Sequence, residues 1–135
     1  MRKTTVCKIF ELLKIPVYYA DDRAKWLMNN DSEIKKEIIF HFGKESYSPI
    51  GLNRVYLAEQ VFKNKENNNV INSIVHPIVG KDFEQWLNAQ TSSYILKEAA
   101  LMFESDSYKQ MDKIICVTAP LDLRIERTLK RDTHR

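Results

Sequence analysis

Several residues in this sequence have the type and spacing to do chemistry on phosphate. Lys3-Thr4-Thr5 leads directly into an apolar helical pattern. That is how the motif G-x-x-x-x-G-K-[ST] ends, where glycine amides cradle phosphates, the lysine meets the β- and γ-phosphates and the hydroxyl meets Mg²⁺. Only Lys3 and Thr4 match it, and a threonine at a helix start is equally an N-cap. Asp21 closes the apolar run Ile15-Pro16-Val17-Tyr18-Tyr19-Ala20. Open α/β sheets gather ligands at the C-terminal ends of such strands, and a carboxylate there could take a proton from an attacking hydroxyl. Capping of the following helix by Asp21 or Asp22 is the alternative. Arg124, Arg127, Arg131 and Arg135 recur every three or four residues and so share one helix face. A guanidinium row can clamp transferring phosphates; a solvated basic face that complements the helix dipole is the other reading. Two weaker candidates remain. His76 precedes Pro77 on an apolar helix, and Arg54 follows Asn53 at a helix start where anions bind but where Asn53 also reads as an N-cap.

The composition limits what these residues can belong to. The chain has 135 residues, 44% of them hydrophobic, which is enough for one domain with a core and short for two. Twenty-one basic against 18 acidic residues leave a formal +3, too little to require a nucleic-acid or membrane partner. Asp122, Glu126 and Asp132, interspersed among the arginines, argue against a nucleic-acid-binding helix. No apolar run reaches the about 20 residues of a membrane span, and an apolar signal-peptide core is missing from the N-terminus. Cys7 and Cys116 lack metal or disulfide spacing and read as buried free thiols. A cytoplasmic protein is expected.

The elements that must position the candidates follow from periodicity. Val6, Ile9, Phe10 and Leu13 predict a helix over 4–14, followed by a short buried strand over 15–20. Helices are predicted through Ala24, Leu27 and Met28, and through Ile34, Ile38 and Phe42 up to Gly43. The turn-rich KESYSPIGLNR leads into a helix with Leu57, Ala58, Val61 and Phe62 facing inward. KNKENNN reads as a solvated loop. Residues 70–90 read as helical, with a boundary or kink at His76-Pro77 and a second helix carrying Phe83, Trp86 and Leu87. Residues 93–103 and 113–118 are two further strand candidates, and Pro120 opens a last helix through Leu121, Ile125 and Leu129. Strands separated by helices predict a parallel α/β sheet.

Taken in order, the segments KTTVCKIFELLKIPVYYADDRAK, FG, GLNRVYLAEQVF, INSIVHPIV, ALMFE and VTAPLDLRIERTLKRD resemble the dephospho-CoA kinase family. The resemblance runs the length of the chain. It implies a P-loop NTPase-type parallel sheet with flanking helices and a helical CoA-binding insertion. It also implies ATP and Mg²⁺ as cofactors and dephospho-CoA as the substrate, phosphorylated at its ribose 3′-hydroxyl to give coenzyme A. Residue by residue, Lys3 matches the phosphate-loop lysine, Thr4 the Mg²⁺-linked hydroxyl and Thr5 the next residue of the ATP-binding motif. Asp21 matches the acid that faces the ribose hydroxyl, Arg54 and His76 match positions of the CoA site, Arg127 and Arg131 match lid arginines, and Glu104 an acid near the metal's water shell. The implied organisation is one incomplete domain. Residues 1–28 hold the phosphate-loop remnant, first helix and strand, 29–90 the substrate-binding insertion, 91–119 the core strands and 120–135 the start of the lid.

The family pattern also opens with a strand and a loop of the type GGIGSGK, where this sequence has only Met1-Arg2 before Lys3. The first, central strand and a C-terminal strand are expected to be absent from these residues, leaving internal sheet edges unpaired. A chain of these residues alone is expected to bind ATP poorly and to turn over negligibly. Tyr19 stands where the family often has Asp, and Lys14 where a glycine commonly ends the first helix. Two other readings remain open: a non-catalytic CoA-ligand or partner-binding fragment, and another small-molecule P-loop kinase.

Overall fold

A computed structural model describes residues 2–100, 102 and 107–133. Helix α1 (Lys3–Leu12) ends at Lys14, which takes φ 67°, the left-handed conformation where glycine is at ease. Strand β1 (Val17–Tyr19) follows, then α2 (Ala20–Asn30) and α3 (Ser32–Phe42). Asp31 caps α3, its side chain accepting from the Ile34 amide at 2.9 Å. A tight hairpin, β2 (Tyr47–Ser48) and β3 (Gly51–Leu52), leads into α4 (Arg54–Lys63), and the long α5 (Glu66–Asn88) returns to the sheet. Strand β4 (Leu96–Glu98) and α6 (Leu121–Thr133) complete the described elements.

β1 and β4 pair in parallel, with Val17 opposite Leu96, Tyr18 opposite Lys97 and Tyr19 opposite Glu98. The crossover between them is therefore the whole of α2 to α5, as the parallel α/β reading requires. Those helices enclose the main core: Leu27, Ile34, Ile38, Phe42, Leu57 and Val75. Ile34 and Ile38 are fully buried. The hairpin is tied to this core by two bonds. The Tyr47 hydroxyl donates to the Met28 carbonyl at 2.7 Å, and the Leu52 amide donates to Asn29 Oδ1 at 2.9 Å. Gly51 has φ 131°, and a Cβ there would lie 2.6 Å from that same Asn29 oxygen. Both conformation and space demand glycine.

Six sequence expectations change. Residues 113–118 form no strand; among the described residues nothing pairs with them, and Ile115 is 65% exposed. A strand is completed by its neighbour's hydrogen bonds, and an apolar run cannot supply those alone. Of the described residues within 93–103, only Leu96–Glu98 form a strand; 101 and 103 lie outside the described residues. α5 runs unbroken through Pro77, because Pro77 and Ser73 are both exposed and water can reach the carbonyl the proline leaves unbonded. Most of KNKENNN is helical: Asn64 Oδ1 accepts from the Glu66 amide and Asn67 Nδ2 donates to the Gln60 carbonyl, so the polar run closes its own turn. Phe62 is 89% exposed and Ala58 is exposed too, since the inward face of α4 follows Leu57 and the half-buried Val61 four residues on. Of the two thiols, Cys7 is buried but Cys116 is exposed.

Candidate active site

The C-terminal end of β4 brings two of the candidate residues together. Lys3 opens α1, and its Nζ lies 3.6 Å from Glu98 Oε1 at the end of β4. Two residues further along, the Ala100 amide donates to Asp21 Oδ2 at 3.0 Å. A cation and a carboxylate thus sit on the same strand end, which is where parallel sheets present their ligands. Asp21 lies inside the first turn of α2, and the N-cap position is Tyr19 with no side-chain cap bond. The capping role that competed for Asp21 and Asp22 is therefore not used. The Asp21 side chain is exposed and available to a ligand.

Glu98 is the residue the sequence reading missed. Its side chain is 13% exposed, and its buried Oε2 has no hydrogen-bond partner among the described residues. Cys7, on the next turn of α1 from Lys3, also faces it. Burial first, then hydrogen bonding to Glu98, pushes the Cys7 thiol up to about 11, so it stays protonated and inert near neutral pH. Tyr19, the register partner of Glu98, donates its hydroxyl to Glu11 of the same helix, α1. The available sequence signal for Glu98 was its charge at the end of a short apolar run, the same signal that marked Asp21.

The start of α1 also faces the arginines of α6. Arg2, Leu123, Glu126, Arg127, Lys130 and Arg131 line one cavity of about 470 Å³. Within it Lys130 pairs with Glu126 at 3.0 Å, and Arg131 Nε with Asp132 at 3.3 Å, while Arg127 has no ion pair among the described residues. The first N–H groups of α1, including those of Thr4 and Thr5, open at the same end of the helix. A helix N-terminus flanked by guanidinium groups is suited to an anion with several charges. The arginine face of α6 is thereby joined to the Lys3 end of the chain. Its opposite stripe, Leu121, Ile125 and Leu129, is exposed.

Other candidates stay apart. Arg54 begins α4, where Asn53 does act as N-cap, accepting from the Tyr56 amide at 3.1 Å. His76 sits midway along α5. Both are exposed, and neither makes a side-chain hydrogen bond or ion pair with another described residue. Glu104 lies outside the described residues.

A parallel α/β unit, with a lysine-led helix and carboxylates at the C-terminal end of its strands, defines the class as a P-loop-type α/β fold. Comparison with known proteins narrows it. The sequence profile described as dephospho-CoA kinase matches residues 2–135. The chain is 34% identical over 131 residues to the dephospho-CoA kinase of Bacteroides fragilis strain YCH46, covering 96% of this chain and 64% of that protein. It is 36% identical over 131 residues to the Legionella pneumophila strain Lens enzyme, covering 96% and 65%. The crystal structure of TT1252 from Thermus thermophilus superposes with a TM-score of 0.79 at 26% identity, covering 96% of this chain and 65% of that one. The chain belongs to the dephospho-CoA kinase family. It spans 64 to 65% of the length of these relatives.

Proposed function

We propose that the protein carrying these residues transfers the γ-phosphoryl group of ATP to the 3′-hydroxyl of dephospho-CoA, giving coenzyme A and ADP. The observation that supports this most is the β4 end, where Lys3 and Asp21 are held through Glu98 and Ala100 on one strand terminus. Lys3 is the cation for the β- and γ-phosphates, next to the open N–H groups of Thr4 and Thr5. Asp21 accepts the proton of the ribose hydroxyl as that oxygen attacks phosphorus and the bond to the ADP oxygen breaks. Arg127 and Arg131 meet the charge that spreads over the moving group. Arg54 and His76, on the insertion, bind the remainder of the acceptor.

Mg²⁺ fits the donor set at this end. The orphaned Glu98 Oε2 and the Thr4 hydroxyl are hard oxygen donors. Among the described residues no group of three or more metal-ligating side chains exists, but Mg²⁺ keeps most of its waters and needs only one or two protein oxygens. When bound, the ion would neutralise charge between the β- and γ-phosphates. Thr4 and Glu98 are the residues that would hold it, with Glu104 a further acid by resemblance. Among the described residues no helix is long and apolar enough to cross a membrane. With two free cysteines, a reducing, cytoplasmic location is the one we assign.

Titration calorimetry with dephospho-CoA, in the absence of ATP, tests the acceptor side by itself. The expected result is saturable binding that Arg54→Ala and His76→Ala each weaken. Unchanged affinity in both variants would remove the insertion from the acceptor site.

A further inference from the structure

Asp82, on α5, lies three residues beyond the INSIVHPIV segment and has no part in the site as described above. Its carboxylate nonetheless accepts three hydrogen bonds from β1 and α2. The Tyr18 hydroxyl donates to Oδ2 at 2.7 Å, Arg23 Nε to Oδ2 at 2.8 Å, and Arg23 Nη2 to Oδ1 at 2.9 Å. The Arg23 fork is bidentate, the geometry that fixes orientation as well as distance. Tyr18 is 4% exposed, and its ring packs edge-on against Phe83 with centroids 5.0 Å apart. The Arg23 guanidinium also lies 4.3 Å above the Trp26 ring, which fixes its plane.

These contacts bracket Asp21. Tyr18 stands three residues before it and Arg23 two residues after it. The strand-to-helix corner between them has no side-chain N-cap, so the usual device for fixing the first turn of a helix is missing. Asp82 takes its place from across the fold. The mutual pairing holds the Asp82 carboxyl below its ordinary range, with the hydrogen bond from Arg23 as the main cause.

We propose that Asp82 is a positioning residue for Asp21: by clamping both flanks of the corner, it sets the Asp21 carboxylate at its 3.0 Å contact with the Ala100 amide. It does so from the helix that also carries His76, so the proposed base and the acceptor-binding insertion are aligned by one carboxylate. The name base rests on the function proposed above. The clamp does not.

The Ala100 amide reports Asp21 directly, by hydrogen exchange at fixed pH. Removing the carboxylate in Asp21→Asn should speed Ala100 exchange about 10-fold, the loss of one charge-assisted bond. Asp82→Asn, in which an amide group faces the Arg23 fork, should give the same acceleration. The Leu96 amide, bonded to the Pro16 carbonyl at 3.0 Å, should not change in either variant, which separates lost positioning from a loosened sheet. Arg23→Lys keeps the charge and loses the fork; it should move Ala100 in the same direction by a smaller factor, and it decides the matter if Asp82→Asn does not fold. Ala100 exchange at the wild-type rate in the folded clamp variants overturns the proposal. So does a Leu96 amide that accelerates in step with it. In a transfer assay the clamp variants should lose kcat about 10-fold with KM for ATP unchanged. Accelerated Ala100 exchange with transfer intact would refute Asp21 as the base and leave the clamp standing.

Discussion

From α2 to the middle of α5, apolar residues from each helix meet in one core. Leu27, Ile34, Ile38, Phe42, Leu57 and Val75 are buried together, and Asp31 and Asn53 cap the helices that carry Ile34 and Leu57. At the sheet end, the described ladder has two short strands, while Ile115, Leu121, Ile125 and Leu129 lie more than half exposed. The charged residues are divided the other way. Lys3, Asp21, Glu98, Arg127 and Arg131 gather at the sheet end, and the core of the insertion holds no charged side chain. On the proposed function, stability and chemistry therefore sit in different parts of this chain, and the Asp82 contacts with Tyr18 and Arg23 tie them. Substitutions should divide accordingly.

The largest stability effect is expected inside the insertion. Ile38→Ala should cost about 2–5 kcal/mol, since a fully buried side chain leaves a cavity that its neighbours fill only in part. Leu129→Ala, 62% exposed on α6, should stay within about 0.5 kcal/mol. Chemical denaturation of the two variants measures both, and equal losses would break the contrast. Gly51→Ala comes next at about 1–3 kcal/mol, through the strained φ and the 2.6 Å approach to Asn29; a neutral result would show that the hairpin relaxes. Lys14→Gly should have a smaller effect of the opposite sign, a gain of about 1 kcal/mol from relieving the left-handed φ of 67° at the end of α1.

Acid should act on the tie between the two parts. The Asp82 carboxyl is held below its ordinary value of 3.8, so the unfolded chain binds the proton more readily than the folded one. The clamp's contribution is complete above that ordinary value and is lost as pH falls through the lower folded one. Denaturant midpoints measured between neutral pH and the acid limit should show a loss at the acid end that is smaller in Asp82→Asn. An identical acid limb in the variant would mean that other carboxylates set it.

How much of this was legible in the sequence differs between the two parts, for physical reasons. The insertion was readable because Ile34, Ile38 and Phe42 repeat at helical spacing and Gly43 stops them. Errors there came from single residues whose surroundings decide the outcome. Pro77 stays helical because its face is wet, and Phe62 points outward although its neighbours' spacing suggested a stripe. At the sheet end, Lys3, Asp21 and the α6 arginines were chosen by type and position, and one cavity is lined by Arg2 together with Arg127 and Arg131. Glu98 and Asp82 could not. Each meets partners far away in sequence; Asp82 carries no local pattern, and Glu98 only a charge at the end of a short apolar run. Residues 113–118 were read as a strand on apolar character alone, which cannot supply a neighbour.

The central claim is that Lys3 and Asp21 flank one phosphoryl path at the end of β4. Its most direct test follows the γ-phosphate of ATP into dephospho-CoA, using the longest natural form of the protein and its Asp21→Asn variant side by side. The account predicts product phosphorylated at the ribose 3′-hydroxyl, formed about 100-fold or more slowly by the variant while ATP still binds. An Asp21→Asn protein that transfers at the wild-type rate, or a wild type that phosphorylates a different group, would contradict it.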